Sequence, residues 1–376
     1  MREYGIIKIK TVSQHKNVFS IFALLLILSI SISFISCGQP EIKEDYVKKA
    51  YELRLDGKVD EAEALLIDII AKDSTNAAAH YELARTYYHM SLGMGDAILE
   101  YLQKSEESIN LAIKHDYDNV IYNFFACRVG YLEAYIAMSG DEDIARRKLN
   151  KLRKLYETVL EIEPEYHEAT LYLIEAYGIV PENLGKDYTA AENLGMEIDG
   201  KDRIWGAKAL TVLRSKAIDV EKLWKMKLDD FPDNPDALEE LGKFYLRENK
   251  TEEGLKYLNQ AMERDSTKTY IYLDIARQYT INALMDKSKL EENTLLVEEV
   301  INKYLETNPI APLKAFAFGF LGNLKLKSDD DDGLLLLGQA TMLDKYYSRF
   351  SVMPSMDLFV PPDEISHNHR YLFRPM

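Results

Sequence analysis

The pattern of apolar, small and polar positions repeats along the chain. A small residue recurs 34 positions apart inside similar five-residue windows: Ala50 is followed by Ala84, and Gly242 is followed by Ala276. A fixed period of this length predicts pairs of antiparallel helices that stack on one another, because each pair buries its apolar face only against its neighbours. Chains built in this way usually present a long concave surface to another molecule, so the pattern favours binding over catalysis.

A second small residue follows each of these positions at a distance of twelve. Ala62 follows Ala50 and Gly254 follows Gly242. Small side chains let two helices approach to about 8–10 Å between their axes. Gly57 lies between the first two small residues, where one helix must end and the backbone must turn. Each unit is therefore predicted to be one antiparallel helical hairpin.

This pattern resembles the tetratricopeptide repeat. The unit 235–268 shows it best, and the unit 43–76 shows it less completely. In the first unit the matching residues are Leu238, Leu241, Gly242, Tyr245, Gly254, Leu258 and Ala261. The resemblance covers residues 43–345 and implies an all-α, tetratricopeptide-like solenoid of about eight hairpins with a right-handed superhelix. The predicted small or apolar anchor positions are Ala50, Ala84, Ala126, Ile174, Ala209, Gly242, Ala276 and Gly322.

The N-terminal segment has the composition of an export signal. Residues 1–16 are basic, and residues 18–35 are apolar apart from scattered serines. The sequence around Cys37 resembles the bacterial lipobox, which implies a lipoprotein signal peptide over 1–36 and a lipidated tether over 37–42. Cys37 would then carry fatty acyl chains such as palmitate, and the protein would be an outer-membrane lipoprotein facing the periplasm or the cell surface. The alternative is an uncleaved membrane helix.

The charge of the chain excludes some classes of partner. The net charge is -16, and residues 1–36 carry four bases and one acid, so the mature chain would carry -19. Such a surface repels nucleic acid and acidic lipid headgroups. Membrane attachment would therefore come from the lipid on Cys37. After lipidation Cys127 is left without a cysteine partner, and its apolar surroundings predict a buried thiol.

No catalytic motif is present in the sequence, so we expect neither an enzyme nor a cofactor. His367 and His369 provide only two metal ligands, which is too few for a site. The acidic run 328–333 has Gln339 at the position where a calcium loop needs a glutamate, so it is predicted to be a solvated hairpin turn.

A basic groove is the candidate partner-binding site. In tetratricopeptide proteins the residue after the small anchor usually faces the concave side, and helical spacing places further residues there. The predicted groove residues are Tyr51, Arg54, Tyr81, Arg85, Tyr88, Glu175, Lys243, Arg247, Tyr270, Arg277 and Asn323. Arginines among tyrosines suit an extended peptide that carries a carboxylate. The alternative is that these bases pair with acids on neighbouring helices.

The C-terminal segment 346–376 breaks the repeat pattern and is rich in proline and aromatic residues. It is predicted either to cap the last repeat or to leave the stack and enter the groove or a partner. Together these features predict a lipid-anchored scaffold or adaptor of the cell envelope that binds protein partners. The alternative function is an accessory lipoprotein of an uptake system that binds a solute or a glycan.

Overall fold

The computed structural model describes residues 42–347, except residue 94 and residues 214–217. The chain divides into the units 1–46 and 47–376, and the description concerns the second unit, in which the first helix takes part from Val47. The predicted signal peptide, Cys37, the two tail histidines and most of the predicted tail lie outside the described residues.

Sixteen α-helices follow one another in the described part of the chain. They are α1 (Ile42–Leu55), α2 (Val59–Lys72), α3 (Ala77–Ser91), α4 (Ile98–His115), α5 (Val120–Ala137), α6 (Glu142–Ile162), α7 (His167–Gly178), α8 (Tyr188–Lys201), α9 (Arg203–Leu213), α10 (Val220–Asp230), α11 (Pro235–Arg247), α12 (Thr251–Arg264), α13 (Ile271–Met285), α14 (Leu290–Glu306), α15 (Ala311–Lys327) and α16 (Asp332–Leu343). From α3 onward the helices pack in consecutive pairs, and α2 packs against α3. The structure is therefore an all-α solenoid of eight helical hairpins, which confirms the predicted fold class.

In several hairpins, an asparagine side chain caps the N-terminus of the first helix. The Asn234 side chain accepts hydrogen bonds from the backbone N–H groups of Asp236 and Ala237, each at 3.0 Å. Pro235 occupies the first turn of α11, where its missing N–H costs nothing. Asn76 and Asn119 cap α3 and α5 in the same way. Each cap satisfies N–H groups that a helix start leaves free and stabilises it by about 1 kcal/mol.

The small residues lie where the two helices of a hairpin touch. A Cβ added at Gly242 would meet the Leu258 side chain at 2.7 Å, and a Cβ added at Gly254 would meet the carbonyl oxygen of Gly242 at 3.1 Å. Gly322 and Gly333 approach each other in the same way in the last hairpin. The twelve-residue spacing of the sequence thus reports a direct backbone contact between α11 and α12.

Substituting Gly242 with Ala is therefore expected to destabilise the protein although Ala favours a helix. The new methyl group has to displace Leu258, and such overpacking costs about 1–3 kcal/mol, against about 1 kcal/mol gained in helix propensity. Gly200→Ala is the matched control, because a Cβ at this helical glycine meets nothing within 4 Å. Thermal unfolding should show a lower midpoint for Gly242→Ala than for Gly200→Ala. Equal midpoints would show that the close approach is absent.

The end of the last hairpin returns to the first two hairpins. Residues 343–347 contact Gly57 in the turn after α1 and Gly93 in the turn after α3. A side chain at Gly57 would collide with the carbonyl oxygen of Leu343, and its φ of +76° is also one that glycine tolerates best. We call the packing of residues 343–347 on the first two hairpins the closing contact.

Buried polar groups hold the closing contact together. His89 Nε2 lies 2.8 Å from Asp344 Oδ2, and both side chains are fully buried. Asp60 accepts hydrogen bonds from Lys345 Nζ and from the Tyr346 hydroxyl, each at 2.6 Å. The Tyr347 ring is fully buried with its centroid 4.5 Å from that of His89. The first two residues of the predicted tail thus pack at the opposite end of the repeat array, a placement that the sequence analysis did not consider.

Candidate functional site

The predicted groove residues of the first two hairpins form a buried ion cluster. Arg54 Nε donates to Glu82 Oε1 at 2.7 Å, and Arg85 Nη1 lies 3.4 Å from Glu82 Oε2. Both guanidinium groups also lie on the Tyr51 ring, at 5.6 and 5.4 Å from its centroid. Arg54, Arg85 and Glu82 are almost completely buried. The structure therefore brings three predicted residues together, but it places the two arginines inside the protein.

Tyr81 and Tyr88 belong to the core between the second and third hairpins. The Tyr81 ring stacks on Tyr122 with 4.7 Å between centroids and meets the Phe125 ring edge-on at 5.6 Å. Tyr88 packs on the same phenylalanine at 5.7 Å. Both tyrosines are buried, so their rings contribute to packing between hairpins and offer little surface to a partner.

Lys243 lies between two acids on neighbouring hairpins. Its Nζ is 2.5 Å from Glu239 Oε1 in α11 and 2.7 Å from Asp274 Oδ2 in α13. Burial alone would lower the pKa of Lys243, but the two carboxylates outweigh it and raise the pKa well above its ordinary value.

The charged contacts around Lys243 extend through Glu239 to further residues, as far as Lys208 in α9. Lys268 Nζ lies 2.5 Å from Glu239 Oε2 and 3.0 Å from Asp236 Oδ1, and the Tyr270 hydroxyl donates to Glu239 at 2.8 Å. Lys208 Nζ lies 3.6 Å from Asp236 Oδ2. We call the residues Lys208, Asp236, Glu239, Lys243, Lys268, Tyr270 and Asp274 the charged network.

The remaining predicted residues have separate positions. Arg247 and Asn323 are exposed, and the Asn323 side chain donates to the Gly319 carbonyl at 2.8 Å. Arg277 is half-buried, and no described residue accepts a hydrogen bond from its Nε. The pairing of bases with acids, which the sequence analysis kept as an alternative, is thus the geometry of Arg54, Arg85 and Lys243. Partner binding by the whole set stays a prediction.

An apolar pocket of 330 Å³ lies between the third, fourth and fifth hairpins. Its walls come from α5, α6, the end of α7 and α9. The lining residues are Tyr131, Ala134, Tyr135, Met138, Leu149, Leu152, Glu175, Ala176, Ile179, Val180, Pro181 and Val212. Of the residues in the basic groove prediction, the structure places only Glu175 in this lining. We call it the apolar pocket.

Large apolar side chains surround the pocket and remain accessible. Tyr135, Met138 and Ile179 are 40, 37 and 46% exposed, respectively. Exposed apolar groups of this size next to a cavity are typical of binding sites. Glu175 is the single charged residue in the lining and is almost completely buried.

Arg153 fixes the end of α7 that forms one wall of the pocket. Its guanidinium group donates to the Ala176 carbonyl at 2.7 and 3.0 Å and to the Gly185 carbonyl at 2.8 Å. It also lies 4.7 Å from the Tyr177 ring centroid. Burial lowers the pKa of Arg153, while the neighbouring Tyr177 opposes this effect. Arg153 in this way holds the turn that presents Ile179.

The apolar pocket was not predicted from the sequence, although the sequence contains one signal for it. Tyr131, Tyr135 and Met138 are spaced by four and three residues, which places them on one face of α5. An apolar stripe that continues to the C-terminal end of α5 is the pattern that predicts this face.

The described residues show one buried thiol and no grouped metal ligands. Cys127 is buried as predicted, its Sγ donates to the Asn123 carbonyl at 3.4 Å, and burial raises the pKa of its thiol. Within 42–347, apart from the gaps given above, no three His, Cys, Asp or Glu side chains are grouped to hold a metal ion. None of the described helices is long and apolar enough to cross a membrane.

Comparisons with known proteins find similar folds at low sequence identity. No family model matches the chain, and no curated protein sequence matches it. Yeast Tom70 is similar at 16% identity, covering 77% of this chain and 55% of that one, with a TM-score of 0.46. A tetratricopeptide repeat protein from Parabacteroides merdae is similar at 15% identity, covering 80 and 93%, with a TM-score of 0.34. The protein MamA is similar at 15% identity, covering 60 and 93%, with a TM-score of 0.27.

Proposed function

We propose that the protein is a lipid-anchored scaffold of the bacterial cell envelope and binds a protein partner at the apolar pocket. The observation that carries this proposal is the 330 Å³ cavity with Tyr135, Met138 and Ile179 exposed around it. Binding energy between proteins is concentrated where an aromatic or aliphatic side chain of one partner fills a pocket of the other. The occupant proposed here is an apolar side chain of the partner.

The charges of the predicted basic groove support this choice of site. A partner carboxylate that bound Arg54 or Arg85 would have to enter a region where both are buried, and it would compete there with Glu82. Removing one member of a buried pair leaves an uncompensated charge and costs several kcal/mol. Binding at the apolar pocket breaks no ion pair, and the burial of its exposed apolar side chains is favourable in itself. Arg277 remains a candidate for a secondary contact.

Membrane attachment is the second part of the proposal and rests on the sequence around Cys37. An apolar segment that ends at a cysteine between small residues supports lipidation. Acyl chains would hold the mature, acidic protein at a membrane whose headgroups it would otherwise repel. A scaffold held in this way would meet its partner in the envelope.

A photo-reactive residue placed at Met138 in intact cells should crosslink to a protein partner. Met226 is the matched control position, since it is an exposed methionine on α10 away from the pocket. The charge introduced by Ile179→Glu at the pocket mouth should reduce the Met138 adduct at least tenfold, because a desolvated carboxylate opposes binding there. In the same cells a clickable fatty acid should label the wild type and leave Cys37→Ser unlabelled.

Two results would contradict the proposal separately. Equal protein adducts from Met138 and Met226 would exclude the pocket as the partner site. Equal fatty acid labelling of the wild type and Cys37→Ser would exclude the lipid anchor. The two parts of the proposal are tested separately, because the crosslink adduct and the fatty acid label are measured independently.

A solute receptor is the second candidate function. It is favoured by Tyr131, Tyr135 and Glu175 in the lining, since two aromatic rings and one carboxylate suit a small ligand with both apolar and polar parts. Native mass spectrometry of the purified protein distinguishes the candidates. A bound small molecule that is lost on Ala134→Trp would support the receptor.

A further inference from the structure

The last helix differs from the other second helices of the hairpins in its charge. After Asp332, α16 contains no charged residue up to its end at Leu343. By contrast, the equivalent helix α12 carries Glu252 and Glu253 in its first turn and Arg264 in its last. The outer surface of such a helix normally faces water, so the absence of charge on α16 indicates a covered surface.

Apolar side chains on one face of α16 are strongly exposed. Leu334 and Leu335 are 63 and 64% exposed, and Met342 is 90% exposed. Seven residues separate Leu335 from Met342, which is two helical turns, and Leu334 lies on the adjoining flank. Gly338 and the uncharged Gln339 lie between Leu335 and Met342 on this face, so these residues form an uncharged, largely apolar strip on the last described hairpin. We call it the α16 strip.

We propose that the chain's own residues 352–360 cover the α16 strip. This segment contains six apolar side chains and a single charged residue, Asp357. The apolar residues are Val352, Met353, Met356, Leu358, Phe359 and Val360. Packing an apolar segment on an uncharged apolar surface removes both from water, and this burial is favourable by about 25 cal/mol per Å².

The position of Tyr347 brings this segment within reach. The Asp344 side chain accepts hydrogen bonds from the N–H groups of Tyr346 and Tyr347, and the Asp344 N–H donates to the Ala340 carbonyl. The chain is therefore still at the C-terminal end of α16 when it leaves the described residues. Five residues can span up to about 17 Å, whereas Leu335 and Leu343 are separated along the helix by about 12 Å.

Intramolecular covering fits the size of the strip better than a second copy of the chain does. A stable interface buries about 800 Å² on each partner. Three exposed side chains on a helix of 12 residues offer much less than this area. A tethered segment needs less area, because its high effective concentration removes most of the entropic cost of association.

A photo-reactive residue at Met342 in the purified full-length protein tests the proposal. After trypsin digestion, the expected adduct joins the peptide 328–345, which contains the probe, to the peptide 350–370. Its yield should not change when the protein is diluted tenfold. The tail variant Leu358→Ser with Phe359→Ser should reduce the yield at least fivefold, and its melting temperature serves as a check on folding. A probe at the exposed Met285 on α13 is the control and should not give this adduct.

Any one of the following three results would overturn the proposal. An adduct between two 328–345 peptides would assign the strip to a second copy of the chain. An adduct with lipid or with another protein would assign it to a membrane or a foreign partner. A yield of the 350–370 adduct that is equal at Met342 and Met285, or unchanged by the tail variant, would show no specific contact between the segment and the strip.

Discussion

Replacing Tyr347 with Ala is expected to release residues 343–347 from the first two hairpins. Its ring is fully buried against His89, so truncation leaves a cavity in the closing contact. Large aromatic to alanine substitutions in a core cost about 3–5 kcal/mol. Urea unfolding should show a loss of this size. Spin labels at the exposed residues Lys58 and Thr341 should change from a narrow to a broad distance distribution.

The control for this experiment is Met285→Ala, which truncates a strongly exposed side chain. It should leave both the unfolding free energy and the distance distribution unchanged, because exposed truncations cost within about 0.5 kcal/mol. A narrow distribution in Tyr347→Ala, with unfolding like that of the control, would show that the closing contact does not hold the two ends of the array together.

The closing contact adds to the burial of α3, the helix that carries the predicted groove residues Tyr81, Arg85 and Tyr88. Twelve of the fifteen residues of α3 are buried, including the charged side chains of Glu82 and Arg85. Neighbouring hairpins contact α3 along its length, and Asp344, Tyr346 and Tyr347 pack around His89 near its end. A helix surrounded in this way offers little surface to a partner, and its arginines must find acids within the protein.

The sequence predicted the number and nature of the hairpins because the determining signals are local. Gly242 and Gly254 lie only twelve residues apart and face each other within one hairpin, and Asn234 caps its helix through the next three residues. Such contacts depend on spacing along one or two helices. Because each hairpin carries such local signals, the repeat pattern in the sequence predicts eight hairpins.

The partners of the groove residues could not be predicted in the same way. His89 and Asp344 lie 255 positions apart, so their contact depends on the accumulated curvature of all eight hairpins. The contacts of Arg54 with Glu82 and of Lys243 with Asp274 join neighbouring hairpins, so they depend on the register between hairpins, which insertions change. The apolar pocket likewise combines side chains from three hairpins. These features follow from packing between repeats, whereas the repeat pattern describes the inside of each one.

Replacing Glu239 with Gln should be among the most destabilising single changes at the charged network. Glu239 lies at 2.5 Å from both Lys243 and Lys268 and accepts a hydrogen bond from Tyr270. Neutralising it leaves the buried Lys268 and the partly buried Lys243 with less compensation, and breaking a buried pair costs about 3–5 kcal/mol. Glu252→Gln on α12 is the matched control, since it removes the same charge at an exposed position.

The dependence of this loss on pH follows from the directions of the two pKa shifts. Burial favours the neutral acid, but Lys243, Lys268 and Lys208 outweigh it and hold the pKa of Glu239 well below its ordinary value. A depressed pKa stabilises the folded state above the unfolded-state pKa of about 4.3, and the stabilisation is lost as the pH falls below it. For Lys243, whose pKa is raised, the stabilisation is present below about pH 10.4 and is lost at higher pH. Urea unfolding between pH 3 and pH 7 should therefore show a smaller rise in unfolding free energy with pH for Glu239→Gln than for Glu252→Gln. Parallel curves of unfolding free energy against pH for the two variants would contradict the assigned role of the charged network.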